Sequence, residues 1–136
     1  MNATAAPTPD VLPALRVALV EDSPLLGQIL SGMLEEMGVE LVGRAEDERG
    51  ALDLLAERQP ALVIVDLELH AGSGIGVLRA LHAEPARFGA PRAVVLSNYA
   101  HSTVREHCAA LGAEAFFDKS MQMDELLDFV ARAQEG

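Results

Sequence analysis

Three carboxylates, a hydroxyl and a lysine stand just behind short apolar runs in this chain. Glu21 and Asp22 follow RVALV, Asp66 follows ALVIV, Ser97 follows PRAVVL, and Lys119 comes two residues after AFF. Carboxylate oxygens suit a hard divalent cation such as Mg2+, which binds through one or two carboxylates plus a phosphate and keeps several waters. A carboxylate is also a nucleophile that can form an aspartyl-phosphate. Phosphoryl transfer asks the protein mainly for positioning and charge neutralisation. Mg2+, the Lys119 ammonium and the Ser97 hydroxyl would together surround the oxygens of a phosphoryl group on Asp66. Three carboxylates gathered without a cation would repel one another, so the set itself calls for positive charge.

For these residues to meet, their apolar runs must lie parallel in one sheet. Residues 61–66 (ALVIVD) are nearly continuously apolar and partly β-branched, as a strand buried on both faces must be. Residues 16–20 (RVALV), 39–45, 91–96 (PRAVVL) and 115–117 supply four more strands. Helical patterns separate them. Ser23-Pro24 starts the first helix, with Ser as N-cap and Pro at the first helical position. Leu26, Ile29, Leu30, Met33 and Met37 form its amphipathic stripe, and Gly38 closes it.

Asp47 caps a second helix carrying Ala51, Leu52, Leu54 and Leu55, which ends before Pro60. A Gly-rich loop runs into the third, with Ile75, Leu78 and Leu81 inward and Pro85 as its stop. HSTVREHCAALG gives the fourth, with Val104, Cys108 and Leu111 on one face; Met123, Leu126, Leu127 and Val130 define the fifth. Strand and helix alternate five times with short connections, which predicts an α/β fold: a doubly wound parallel sheet with helices on both faces. With strand order 2-1-3-4-5, strands one and three are neighbours, and the crevice at their carboxyl ends is where open α/β sheets hold ligands.

Composition narrows the function further. The 136 residues are read as a leader, 1–14, and one domain, 15–136, with no second domain. No apolar stretch approaches the length of a membrane span. The start, MNATAAPTPD, lacks the basic and apolar segments of a secretion signal. A single cysteine, Cys108, permits no internal disulfide, so a cytoplasmic location is expected. A net charge of −11 with ten basic residues argues against a nucleic-acid face. His70, His82, His101 and His107 lack metal-ligand spacing.

On the pieces VALVEDSP, LVIVDLEL with a Gly-containing turn reaching Gly74, AVVLSN and AFFDKS, the chain resembles the response-regulator receiver domains of two-component signalling. The resemblance runs from about residue 16 to residue 134 and implies a flavodoxin-like (βα)5 fold with Asp66 as phospho-acceptor. It makes Glu21, Asp22, Asp66 and the backbone carbonyl of Glu68 the surroundings of Mg2+ (or Mn2+). Lys119 becomes the lysine that pairs with the phosphoryl group, Ser97 the hydroxyl switch residue and Phe116 the switch aromatic. A sensor histidine kinase or histidine phosphotransfer protein is the implied donor. The implied output is a protein effector on the face of the fourth helix, fifth strand and fifth helix. A stand-alone receiver of this kind, monomer or phosphorylation-dependent dimer, catalyses only its own phosphorylation and dephosphorylation.

Several positions depart from the family pattern. Glu21 replaces the commoner Asp and would reach the metal through water. Ser120 follows Lys119 where Pro is usual, which argues against a cis bond there. His70 also stands where Pro is common, leaving that loop less rigid. Asn98 would narrow access to Asp66, Phe116 has no hydroxyl, and Tyr99, flanking the site with Glu68, would shield a phosphoryl group from water. Three other readings compete. A degenerate receiver would act as a phosphorylation-independent binding module. A small phosphatase would use Asp66 as nucleophile, with Asp66-x-Glu68 resembling a D-x-D motif; such enzymes place the nucleophile on an early strand and usually carry a cap domain. A flavodoxin-like nucleotide binder would need a phosphate loop where Glu21-Asp22 repels phosphate.

Overall fold

The structure is a computed structural model describing residues 13–99 and 101–135 of the 136. Its elements alternate as β1 (Arg16–Val20), α1 (Pro24–Glu36), β2 (Glu40–Ala45), α2 (Glu48–Arg58), β3 (Leu62–Val65), α3 (Gly74–Ala83), β4 (Arg92–Ser97), α4 (Ser102–Ala110), β5 (Ala115–Asp118) and α5 (Met123–Glu135). The five strands form one parallel sheet in the order β2-β1-β3-β4-β5. The expected doubly wound architecture and strand order are both present. Of the expected leader, residues 1–12 lie outside the described residues, and Pro13 and Ala14 are exposed.

The sheet has two buried faces because successive strand residues point to opposite sides. Ala18, Val20, Val63, Val65 and Val95 face one core, shared with Ala51 and Leu55 of α2, Val77 and Leu78 of α3 and Cys108 of α4. Val17, Leu19, Leu62, Ile64 and Leu96 face the other, shared with Leu30 and Leu34 of α1 and Leu126 and Val130 of α5. All four residues of β3 are fully buried, as the apolar run 62–65 requires of a central strand. Each such aliphatic side chain contributes about 1.5–3 kcal/mol through removal from water.

Helix starts are set locally. Ser23 accepts a hydrogen bond from the Leu26 N–H with Pro24 in the first turn, and Asp47 accepts from the Gly50 N–H. The inward face of α1 differs from the sequence reading. On α1 the buried line is Gly27, Leu30 and Leu34, while Ile29 is 50% exposed. Leu30 and Leu34 join the core on this face, and the Arg44 side chain of β2 lies against Gly27. On α3 the expected Leu78 and Leu81 are buried and Ile75 packs against the same core, with Val77 buried beside them. The fourth helix is shorter than its sequence pattern, and its N-cap is His101, so Ser97 is a buried strand end and not a helix cap.

Candidate functional site

The sheet brings the carboxyl ends of β1 and β3 side by side, with Val20 paired to Val65 and the Asp66 N–H donating to the Val20 carbonyl at 2.9 Å. One residue further on, Glu21, Asp22 and Asp66 converge, with a carboxylate oxygen of each within 4.8 Å of the others. Glu21 and Asp66 are 1% and 3% exposed, although both are acids. β5 lies two strands away from β3, yet its end reaches the same place, because the Lys119 N–H donates to the Ser97 carbonyl at 3.0 Å. The Lys119 ammonium then bridges Asp66 Oδ2 at 2.8 Å and Glu21 Oε1 at 2.9 Å.

The loop after β3 folds back on itself. The Glu68 N–H donates to Asp66 Oδ1 at 3.2 Å, and Glu68 pairs with Ser73 in a short antiparallel bridge. Gly74 is required at the loop's end: a Cβ there would run into the Asp66 carbonyl oxygen. Across the mouth of the site the Tyr99 hydroxyl donates to Glu68 Oε2 at 2.9 Å, and the Tyr99 N–H donates to Ser97 Oγ at 3.2 Å. The phenol pKa is raised, first by this hydrogen bond and then by the Glu68 charge.

Charge in the site is unbalanced. Burial raises the Asp66 pKa and the Lys119 ammonium pulls it back; burial likewise raises Glu21 against the Ser23 N–H and Lys119. Burial opposes the charge on Lys119, but its hydrogen bonds to Asp66 and Glu21 prevail and raise its pKa. Three carboxyl groups gathered around one ammonium leave a surplus of acidic oxygens in a largely buried cluster. An all-oxygen donor set with that surplus fits a divalent hard cation, with Glu21, Asp22 and Asp66 as the residues to hold it.

Residues 17–131 match the family model described as the response regulator receiver domain. The chain belongs to this family. Among curated relatives, it is 34% identical over 122 residues to a protein-glutamate methylesterase/protein-glutamine glutaminase of Desulfotalea psychrophila, a match covering 89% of this chain and 30% of that protein. It is 31% identical over 129 residues to the transcriptional regulatory protein PdtaR of Mycobacterium tuberculosis, covering 93% and 61%. The chain thus spans less than two thirds of the length of either relative. A two-component response regulator of the LuxR family from an Aurantimonas species superposes with a TM-score of 0.80 at 26% identity, covering 91% of this chain and 87% of that one.

Within this receiver most of the residues singled out by sequence fall into two groups. Glu21, Asp22, Asp66 and Lys119 meet in one cluster, and Ser97, Glu68 and Tyr99 form the hydrogen-bonded rim beside it. Phe116 is apart from that cluster: it is half-buried on β5, with the Arg105 guanidinium 4.6 Å from its ring centroid and donating to its carbonyl at 3.2 Å. Asn98 is exposed, and the Lys119–Ser120 peptide is trans. Among the described residues the acidic cluster is the only group of three or more His, Cys, Asp or Glu with metal-holding geometry. Sequence reasoning overlooked Arg105 and its contacts with Phe116. No helix among the described residues is long and apolar enough to cross a membrane.

Proposed function

We propose that this receiver is a stand-alone, Mg2+-dependent phospho-acceptor that takes its phosphoryl group onto Asp66 from a phosphohistidine of a sensor kinase or phosphotransfer protein. The observation that carries the reading is Asp66 itself: a carboxylate at the end of the central strand, 3% exposed, held by Lys119 at 2.8 Å beside two further acids. An Asp66 carboxylate oxygen forms the new O–P bond while the P–N bond of the donor breaks; its electron pair returns to the imidazole, which is protonated as it leaves. Lys119 neutralises charge on the phosphoryl oxygens, and the buried Ser97 hydroxyl is the nearby donor on β4. Mg2+, when bound by Glu21, Asp22, Asp66 and the Glu68 carbonyl, supplies further positive charge against the same oxygens.

Residues 15–136 are read as the receiver unit, working in the cytoplasm as a monomer or phosphorylation-dependent dimer. Methylesterase and transcriptional activities belong to the longer relatives. Output passes through α4, β5 and α5, where Phe116 and Arg105 sit, as a shift between two states of that face. The test is intact-mass measurement after incubation with acetyl phosphate and Mg2+. A single phosphoryl adduct is expected, lost with chelator and in Asp66→Asn. An adduct that persists in Asp66→Asn would disprove the assignment of the acceptor.

A further inference from the structure

We propose that Glu48, on a neighbouring helix, is a positioning residue that holds the phospho-acceptor loop in its working shape. This rests on the reading of Asp66 as acceptor. Residues 66–73 connect β3 to α3 with only the short Glu68–Ser73 bridge of their own, and their path is also set from outside the loop. Three hydrogen bonds from the start of α2 do so. The His70 N–H donates to the Glu46 carbonyl at 3.2 Å, the Glu48 N–H donates to the Ala71 carbonyl at 2.9 Å, and the Ser73 N–H donates to Glu48 Oε1 at 3.0 Å. Two of these use backbone groups on both sides; the third depends on the Glu48 side chain.

Ser73 is the point where this matters. Its hydroxyl caps α3 by accepting from the Gly76 N–H at 3.1 Å, its backbone pairs with Glu68, and Glu68 in turn donates its N–H to Asp66 Oδ1. A continuous chain of bonds therefore runs from the Glu48 carboxylate to the acceptor carboxylate. The surroundings are shaped to admit it. A Cβ on Gly72 (φ +77°) or on Gly76 would collide with the Glu48 carboxyl group. The carboxylate also lies beside the first turn of α3 and within that of α2, where helix dipoles favour negative charge. On its outer side Glu48 lines an open groove of about 770 Å³ with Arg49, Asp53, Gly72 and Arg87. Truncating it therefore empties no part of the core.

The experiment compares wild type, Glu48→Ala and Glu48→Gln, since Gln keeps a carbonyl acceptor at the same reach. Two readouts are taken: hydrogen exchange of the Ser73 amide by NMR, and the initial rate of adduct formation with acetyl phosphate and Mg2+. In Glu48→Ala the Ser73 amide is expected to exchange about tenfold faster and the rate to fall about fivefold to tenfold, the scale of one lost charge-assisted hydrogen bond. Glu48→Gln should recover most of both because it keeps an acceptor, whereas a further variant, Glu48→Met, which keeps similar bulk without an acceptor, should behave like Glu48→Ala. Unchanged Ser73 exchange in Glu48→Ala, or an unchanged rate despite faster exchange, would overturn the proposal. A Glu48→Gln that behaves like Glu48→Ala would overturn it as well. Failure of the underlying reading looks different. Wild type would then take no phosphoryl group, ending the kinetic half of the proposal, while the exchange contrast at Ser73 would persist.

Discussion

Asp66 is held between two opposing effects. Burial and the neighbouring acids favour its protonated form, while Lys119 and the Glu68 N–H favour the carboxylate, and the balance raises its pKa as it does that of Glu21. A raised carboxylate pKa means that the folded protein retains protons the unfolded chain has released. Stability from these two groups is therefore greatest below the ordinary carboxylate range and declines as pH climbs through the raised values. Asp66→Asn should accordingly be more stable than wild type at pH 7, by on the order of 1 kcal/mol, with the gain fading toward about pH 4. Urea unfolding across pH checks this; a destabilised Asp66→Asn at pH 7 would show that the Lys119 contact outweighs the crowding. At the rim, Tyr99→Phe removes the bond to Glu68 while keeping the ring. If that bond keeps water from the phosphoryl group, the phospho-protein should decay about fivefold faster. Following the mass of the adduct over time measures it.

The elements matter through what they allow at their ends. β3 delivers Asp66 because its four apolar residues leave no other place for the strand than the centre of the sheet. α3 starts where it does because Gly74 lets the chain pass the Asp66 carbonyl. Gly74→Ala forces that backbone apart, and the expected cost is about 2–3 kcal/mol of stability together with loss of adduct formation. Thermal unfolding and intact mass on one sample read both. β5 is tied to α4 by Arg105, stacked on Phe116 and bonded to its carbonyl, so movement of either element draws on the other. Sequence periodicity had marked both elements but gave no sign of that tie.

At the scale of the whole molecule, three acids and one lysine meet where the sheet order changes direction, between β1 and β3. A ligand that binds the folded state and not the unfolded chain stabilises by RT ln(1 + [L]/Kd). Mg2+ at about 100 times its Kd should add about 2.7 kcal/mol, or roughly 5–10 °C in Tm for a domain of this size. Asp22→Asn should lose much of that shift, and a chelator should abolish it. Calorimetric scans with and without Mg2+ test this, and equal midpoints would mean that the cluster does not hold the ion.

The order of the residues was enough for the layered α/β architecture and, with the strand order that the family resemblance implies, for the gathering of Glu21, Asp22, Asp66, Ser97 and Lys119 at one edge. Continuous apolar runs can be buried only in a covered parallel sheet, and right-handed crossovers leave few ways to order it. Caps such as Ser23 and Asp47 were legible because their bonds reach only three residues along the chain. Packing alone decided the rest. The reach of Glu48 to Ser73 depended on the start of α2 and the loop after β3 being brought together. The Tyr99–Glu68 bond and the stacking of Arg105 on Phe116 depended likewise on side chains meeting from separate elements. Such contacts join residues with no common period in the chain, so their geometry exists only once both elements are docked on the same sheet.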